Sequence, residues 1–243
     1  MSIQFISDLH LSEERPHTVA AFFCFLERVK GECESLYILG DFFDAWIGDD
    51  DDRPLVADVA AALFMLSQRE GVRIFFQHGN RDFLLGEDFA VRSGMTLLPE
   101  LQVITLPSGQ RCLLAHGDQF CTADTAYQHF RATVREPDWQ RAFLTKPLAE
   151  RRAIAADLRA RSREANSIKQ EDIMDVTQDV VISVMQEQQV SVLLHGHTHR
   201  PSRHPVRLAN GLVGERVVLG EWDTSLWVAT ATAKGLSLDQ CPL

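Results

Sequence analysis

The chain has 243 residues, 45% of them hydrophobic and 24% charged, and a formal net charge of −10. That length supports one large domain with a substantial core, and the composition excludes collagenous, low-complexity and disordered classes. No apolar run reaches membrane-spanning length, the start MSIQFISD lacks the basic and apolar regions of a signal peptide, and five scattered cysteines (24, 33, 112, 121, 241) never form a C-x-x-C, which together predict a cytoplasmic protein with free thiols.

Five short apolar runs predict buried strands: Ile3–Ile6, Leu36–Leu39, Arg73–Gln77, Cys112–Ala115 and Ser191–Leu194. Between the first two, Val19, Phe22, Phe23, Leu26 and Val29 form one apolar helical stripe after Pro16 and before Gly31. A second helix opens near Pro54, behind aspartates placed to cap it, and stops near Gly71. Strand–helix–strand alternation predicts an α/β sheet with helices packed on it. Residues 120–189 differ, being rich in Ala, Arg and Glu with no strand signal until Val190. They predict a helical cap inserted into a single domain spanning 1–243, divided by Pro137 and Pro147. From Arg131 to Lys169 the chain carries ten Lys+Arg against five Asp+Glu, a local excess of positive charge that fits either a solvated helical face or a surface for an anionic partner or membrane. After Pro201 the pattern returns to β, in RVVLGEW and SLWVATAT.

The polar residues fall at the strand ends. Asp8 and His10 follow the first strand, Asp41 and Asp44 the second, Asn80, Arg81 and Asp82 the third, His116 and Asp118 the fourth, and His195 and His197 the fifth. Ligands in open α/β sheets bind at the carboxyl ends of strands. Asp, Asn and His without Cys form an oxygen and nitrogen donor set suited to Mn, Fe, Zn or similar ions. Enough donors are present for two ions, an arrangement that can activate one water and clamp the oxygens of a displacement at phosphorus. Asp or Asn after a strand is also an ordinary turn former, so no single piece is specific; the ordered set is.

This set resembles the signature of the calcineurin-like metallophosphoesterases, D-x-H … G-D-x-x-D … G-N … H … G-H-x-H. The resemblance implies a two-sheet β-sandwich flanked by helices. The stretches YILGDFFDAWIGDDD, HGNRDFLLG, SGMTLLP, AHGDQFCTAD, SREANSIK and HGHTHRP resemble the branch of that family acting in lipid A synthesis. The branch implies hydrolysis of UDP-2,3-diacylglucosamine to UMP and the 1-phosphate of the diacylated sugar, lipid X. It implies two Mn²⁺ ions, one held by Asp8, His10 and His197, the other by Asn80, His116 and His195, with Asp41 bridging. Contacts to lipid X are implied for Asn80, Arg81, Asp124, Ser162, Asn166, Lys169 and His195. On this reading Asp41, Arg81 and His195 carry catalysis, as a hydroxide between the ions attacks the phosphorus next to uridine. Many relatives have histidine after G-N. Arg81 stands there instead, as it does in the lipid A branch, and offers a fixed charge to the phosphates. The same resemblance implies peripheral attachment to the cytoplasmic face of the inner membrane. No nucleic acid and no obligate protein partner is expected. The rival expectation is another dinuclear-metal phosphodiesterase acting on a cyclic nucleotide or nucleic acid.

Asp44, Asp82 and Asp118 are expected either to orient imidazoles by accepting their second N–H or to serve as turn formers. His199 is expected near the phosphates rather than as a ligand, and Asp49–Asp52 as a solvated loop. Ala126, Phe130, Val134, Phe143, Leu144, Leu148, Ile154 and Leu158 are expected to line an acyl groove or, alternatively, to pack the cap onto the core.

Overall fold

The computed structural model describes residues 2–168, 175–209 and 211–243. One sheet is built from β1 (Ser2–Ile6), β2 (Cys33–Leu39), β3 (Arg73–Gln77), β4 (Met95–Leu97), β10 (Ser225–Thr232) and β11 (Gly235–Pro242), in the order β11-β10-β1-β2-β3-β4. The other is built from β5 (Gln102–Thr105), β6 (Arg111–Leu114), β7 (Val192–His195), β8 (Ser202–Arg207) and β9 (Val213–Val218), in the order β5-β6-β7-β9-β8. The inner strands β1–β2–β3 and β6–β7 pair in parallel, so their carboxyl ends lie on common edges.

Side-chain alternation along the strands decides what each face meets. Phe5, Tyr37 and Leu39 point inward against Cys112, Leu114, Leu194 and Val217 of the second sheet, forming the core of the sandwich. Their neighbours Ile6, Leu36 and Ile38 point outward, under α1 (Pro16–Val29), α2 (Pro54–Glu70) and α3 (Glu87–Ser93). Leu113 and Leu193 likewise face Val181 and Met185 of α7 (Gln178–Glu187). Between β6 and β7 the chain also forms α4 (Thr125–Arg135), α5 (Pro137–Leu144) and α6 (Leu148–Ile168), split at the two prolines as expected. The two sheets flanked by helices match the expected architecture.

The aspartates before α2 do not cap it: no side chain accepts from its first turn. Asp49–Asp52 is solvated only in part: Asp50 and Asp52 are exposed, but Asp51 is buried. Asp49 accepts the backbone N–H groups of Gly86 at 2.9 Å and Phe89 at 3.0 Å, which tethers the start of α3. Asp50 and Asp51–Asp52 pair with Arg151 and Arg152 of α6, and Arg159 one further stretch along that helix pairs with Asp44. Arg151 is itself buried and donates to the Ile47 carbonyl at 2.6 Å. The positive segment and the acidic loop are therefore two halves of one charge-complementary seam. This internal pairing accounts for much of the local excess of charge noted in the sequence.

Cys33, Cys112 and Cys121 are buried, and burial pushes the Cys112 and Cys121 thiols up to about 12. Only thiolates alkylate readily. Iodoacetamide at pH 8 should modify only the exposed Cys24 and Cys241 in the native protein, and all five after denaturation, as read by mass spectrometry.

Candidate active site

The carboxyl ends of β1, β2, β3, β6 and β7 converge. The loops after them are stitched by backbone bonds: Asp8 N–H to the Gly40 carbonyl at 3.1 Å, His10 N–H to that of Asp41 at 3.0 Å, and Gly196 N–H to that of His116 at 2.8 Å. Among the described residues six non-glycines have positive φ, and five of them stand here: Asp8 (57°), His10 (50°), Asp41 (49°), His197 (66°) and His199 (53°). Such backbone costs on the order of 1–3 kcal/mol per residue and persists where the surroundings enforce it, often at functional sites. Gly40 supplies a further left-handed turn, at φ 85°, and a Cβ on it would lie 2.5 Å from the Gly79 nitrogen.

These turns gather a cluster of buried acids and imidazoles. Asp41 Oδ1 lies 3.6 Å from His116 Nε2, and its Oδ2 lies 3.9 Å from His10 Nε2. Asn80 Oδ1 lies 3.1 Å from His116 Nε2 and 2.9 Å from His197 Nδ1. Among the described acids and imidazoles, two sets offer ligand atoms close enough to hold an ion: Asp8, His10 and His199, and Asp8, Asp41 and His116. His199 is thus drawn closer to the cluster than its place in the sequence suggests. Its Nε2 is 3.3 Å from Asp8, while its Nδ1 is 3.0 Å from Glu221, which in turn meets Arg15 at 3.0 Å. His195 is buried directly behind, with Nδ1 2.8 Å from the Gly196 carbonyl and Nε2 3.3 Å from Arg216 Nη1.

Burial dominates the electrostatics. It pushes the Asp41 carboxyl up to about 7, assisted by the charges of Asp82 and Asp8. It pushes His10 and His195 down to about 3 and His197 to about 4, leaving neutral imidazoles with lone pairs at neutral pH. Burial opposes the charged forms of Asp8 and His199 as well, but their mutual hydrogen bond prevails. It holds Asp8 well below the usual carboxylate range, and with Glu221 it raises His199 to about 10.

The three aspartates expected near the ligands do other work. Asp82 accepts the backbone N–H of Gly79 at 2.8 Å and Phe42 at 2.7 Å, tying two ligand loops together. Asp118 accepts from Tyr127 Oη at 2.7 Å and Arg131 Nε at 2.8 Å, which anchors α4. Asp44 pairs with Arg159. Backbone carbonyls orient two of the imidazoles instead: that of Leu39 meets His116 Nδ1 and that of Gly196 meets His195 Nδ1, each at 2.8 Å. Tyr127, Arg216, Glu221 and Arg15 went unremarked in the sequence, since none lies in a recurrent motif.

A cavity of about 360 Å³ opens beside the cluster. Trp46, Phe83, Leu84, Phe130, Trp139, Phe143 and Leu158 line its apolar part, and Asn80, Arg81, Tyr127 and Ser162 its polar end. Of the residues expected in an acyl groove, Ala126, Phe130, Phe143 and Leu158 line it. Leu148 and Ile154 pack on the core, Val134 is buried outside the lining, and Leu144 is exposed. Asp124 caps α4, its Oδ1 accepting from Tyr127 N–H at 3.1 Å, and lines the polar side. Lys169 and the side chain of Asn166 lie outside the described residues.

Residues 1–201 match the family described as calcineurin-like phosphoesterase. A UDP-2,3-diacylglucosamine hydrolase from Cellvibrio japonicus is 55% identical over 238 residues, covering 98% of this chain and 98% of its own. A second hydrolase of that name, from Escherichia coli, is 51% identical over 242 residues and the full length of both.

Proposed function

This chain belongs to the calcineurin-like phosphoesterase family, and from that premise we propose that it hydrolyses the pyrophosphate of UDP-2,3-diacylglucosamine to UMP and lipid X, a step of lipid A biosynthesis. One observation carries the reading beyond the family: the apolar cavity opens onto Asn80 and Arg81, within the polar cluster itself. A diacylated sugar seated in that cavity would present its phosphate to the cluster. A cyclic nucleotide or nucleic acid would leave an aromatic cavity of that size without a use.

The residues present fit a pair of divalent cations. The donors are oxygen and nitrogen, the buried Nδ1 of His10 has no hydrogen-bond partner among the described residues, and burial makes the Asp41 and Asp82 carboxylates unfavourable as charged groups. We assign Asp8, His10 and His197 to one ion, Asn80, His116 and His195 to the other, and Asp41 to both. Manganese suits this donor set. Bound there, such ions supply Lewis acidity toward phosphoryl oxygens and an activated water.

The chain's own groups do the rest. Arg81 lines both the cavity and the cluster, and its permanent charge offsets the negative charge that builds on the phosphoryl oxygens. Asp41 Oδ1 accepts the Arg81 backbone N–H at 2.8 Å, so the same carboxylate fixes the position of that arginine. Segment 120–189 would act as a cap over the acyl chains, with Ser162 at the polar end of the cavity; contacts to the sugar phosphate from Asn166 and Lys169 belong to the same proposal. Phe130 and Leu144 are exposed on it, and no described helix is long and apolar enough to cross a membrane. The exposure of Phe130 and Leu144 supports peripheral attachment at the inner-membrane surface, where a diacylated substrate would reside.

Attack at the phosphorus next to uridine sends the water oxygen into UMP. Hydrolysis in ¹⁸O-water should place the label in UMP and leave lipid X unlabelled; label in lipid X would overturn this regiochemistry.

A further inference from the structure

The cluster is flanked by two lobes, not one. Besides the apolar cavity, a second one of about 280 Å³ takes in the cluster itself, with His10, Asp41 and His197 in its lining, and extends from it to Cys121, Asp124 and the loop Thr198, His199 and Arg200. Asn80, Arg81, Tyr127 and Ser162 line both, so they mark the junction. The proposed substrate has the same plan: an apolar diacylated sugar and a polar nucleotide, joined through a pyrophosphate. If the acyl chains fill the apolar lobe and the pyrophosphate lies at the junction, the nucleotide has one remaining direction.

Resting on that proposed function, we infer that the polar lobe holds the UMP half of the substrate, and that Arg200 binds it through its phosphate. Arg81 is shared by both lobes, whereas Arg200 lines the polar lobe alone. Its guanidinium is fixed by Asp175 Oδ2 at 3.1 Å, which sets a planar cation in the wall. Asp175 also lies 3.8 Å from Arg216, the residue that touches His195, so the wall is anchored to the cluster. Thr198 adds a buried hydroxyl, next but one to Arg200, that has no hydrogen-bond partner among the described residues. A dianionic phosphate and its ribose hydroxyls match a cation beside an unsatisfied hydroxyl. An acyl chain matches neither.

The test compares product binding to the full-length, manganese-loaded protein by calorimetry, using UMP and lipid X as separate probes. Arg200→Ala should weaken UMP about tenfold and leave lipid X within about twofold, because one charge-assisted contact is lost on one side only. Uridine, which lacks the phosphate, should be affected far less than UMP. Asp175→Asn removes the ion pair but keeps the cation, and should hold UMP affinity within about twofold. Arg200→Lys should recover part of the loss. Unchanged UMP binding in Arg200→Ala would overturn the inference. So would equal losses of UMP and lipid X in both Arg200→Ala and Asp175→Asn, which would mark the arginine as a support for the loop. Failure of the wild-type protein to release UMP from the diacylated substrate would instead sink the proposed function.

Discussion

Asp41→Ala should lose both metal ions together and lower kcat/KM by at least about 10³-fold, which corresponds to about 4 kcal/mol of transition-state stabilisation. Asp41 is 2% exposed and meets His10, His116 and the Arg81 backbone at once. No neighbouring carboxylate faces the same three groups. Its burial pushes its pKa up to about 7, so the carboxylate is an unfavourable group to enclose without cations. The rise in Tm that manganese gives the wild type should disappear. Asp41→Asn serves as the control for backbone strain, because asparagine tolerates the φ of 49° better than alanine. It too should lose the ions. Elemental analysis after gel filtration reads the stoichiometry, and two ions retained by either variant would contradict the shared-ligand assignment.

Gly196→Ala should damage the site through space alone. Gly196 has no positive φ, but a Cβ there would lie 2.1 Å from Asp8 Oδ2 and 2.2 Å from Ser7 Oγ. Neither neighbour has room to yield. Asp8 and Ser7 are fully buried and hydrogen-bonded to one another, and Asp8 Oδ2 also accepts the His197 N–H at 3.0 Å. Relief must displace either the Asp8 carboxylate or the loop that carries His195 and His197. Overpacking of this kind costs about 2 kcal/mol, which for a chain of this length lowers Tm by about 5 °C. A displacement near 1 Å at the ligands costs a further factor of about 10² in kcat/KM. A variant as stable and active as wild type would show that the two glycine-linked loops are not packed in this way.

The parts legible in the sequence are those governed by short-range rules. Buried inner strands read as apolar runs, and each ends in the donors that the fold brings together. Pro16, Pro54, Pro137 and Pro147 mark helix starts because the ring suits the first turn and breaks an interior one. The elements that escaped are short or lie at edges. β4 has three residues, β8 reads SRHPVR with a proline tolerated only at a sheet edge, and most of β11 is exposed. Long-range pairing escaped as well. Nothing local in GDDDD announces that Arg151 and Arg152, about a hundred residues on, neutralise it. Likewise, the reach of His199 to Asp8 and Glu221 depends on a turn at φ 53° that the letters H-T-H do not disclose. Of the two roles open to these aspartates in the sequence, Asp82 takes the turn-forming one for a related reason. Backbone donors left unpaired by the tight turns claimed Asp82, while the start of the helical segment claimed Asp118.

The seam between the acidic loop and α6 bears on function through Asp44 and Arg159, which both line the apolar cavity. The loop that begins at Asp41 is therefore held by the same helix that forms the cavity wall. The proposed metal site and the apolar cavity share a support, which fits the proposed substrate.

The most direct measurement is release of UMP from authentic UDP-2,3-diacylglucosamine by the purified full-length protein, first stripped with chelator and then supplied with manganese. The account predicts no release after stripping, full recovery on adding the metal, and little turnover of the UDP-sugar without its acyl chains. Release that persists in chelator, or equal rates on the substrate without acyl chains, would contradict it.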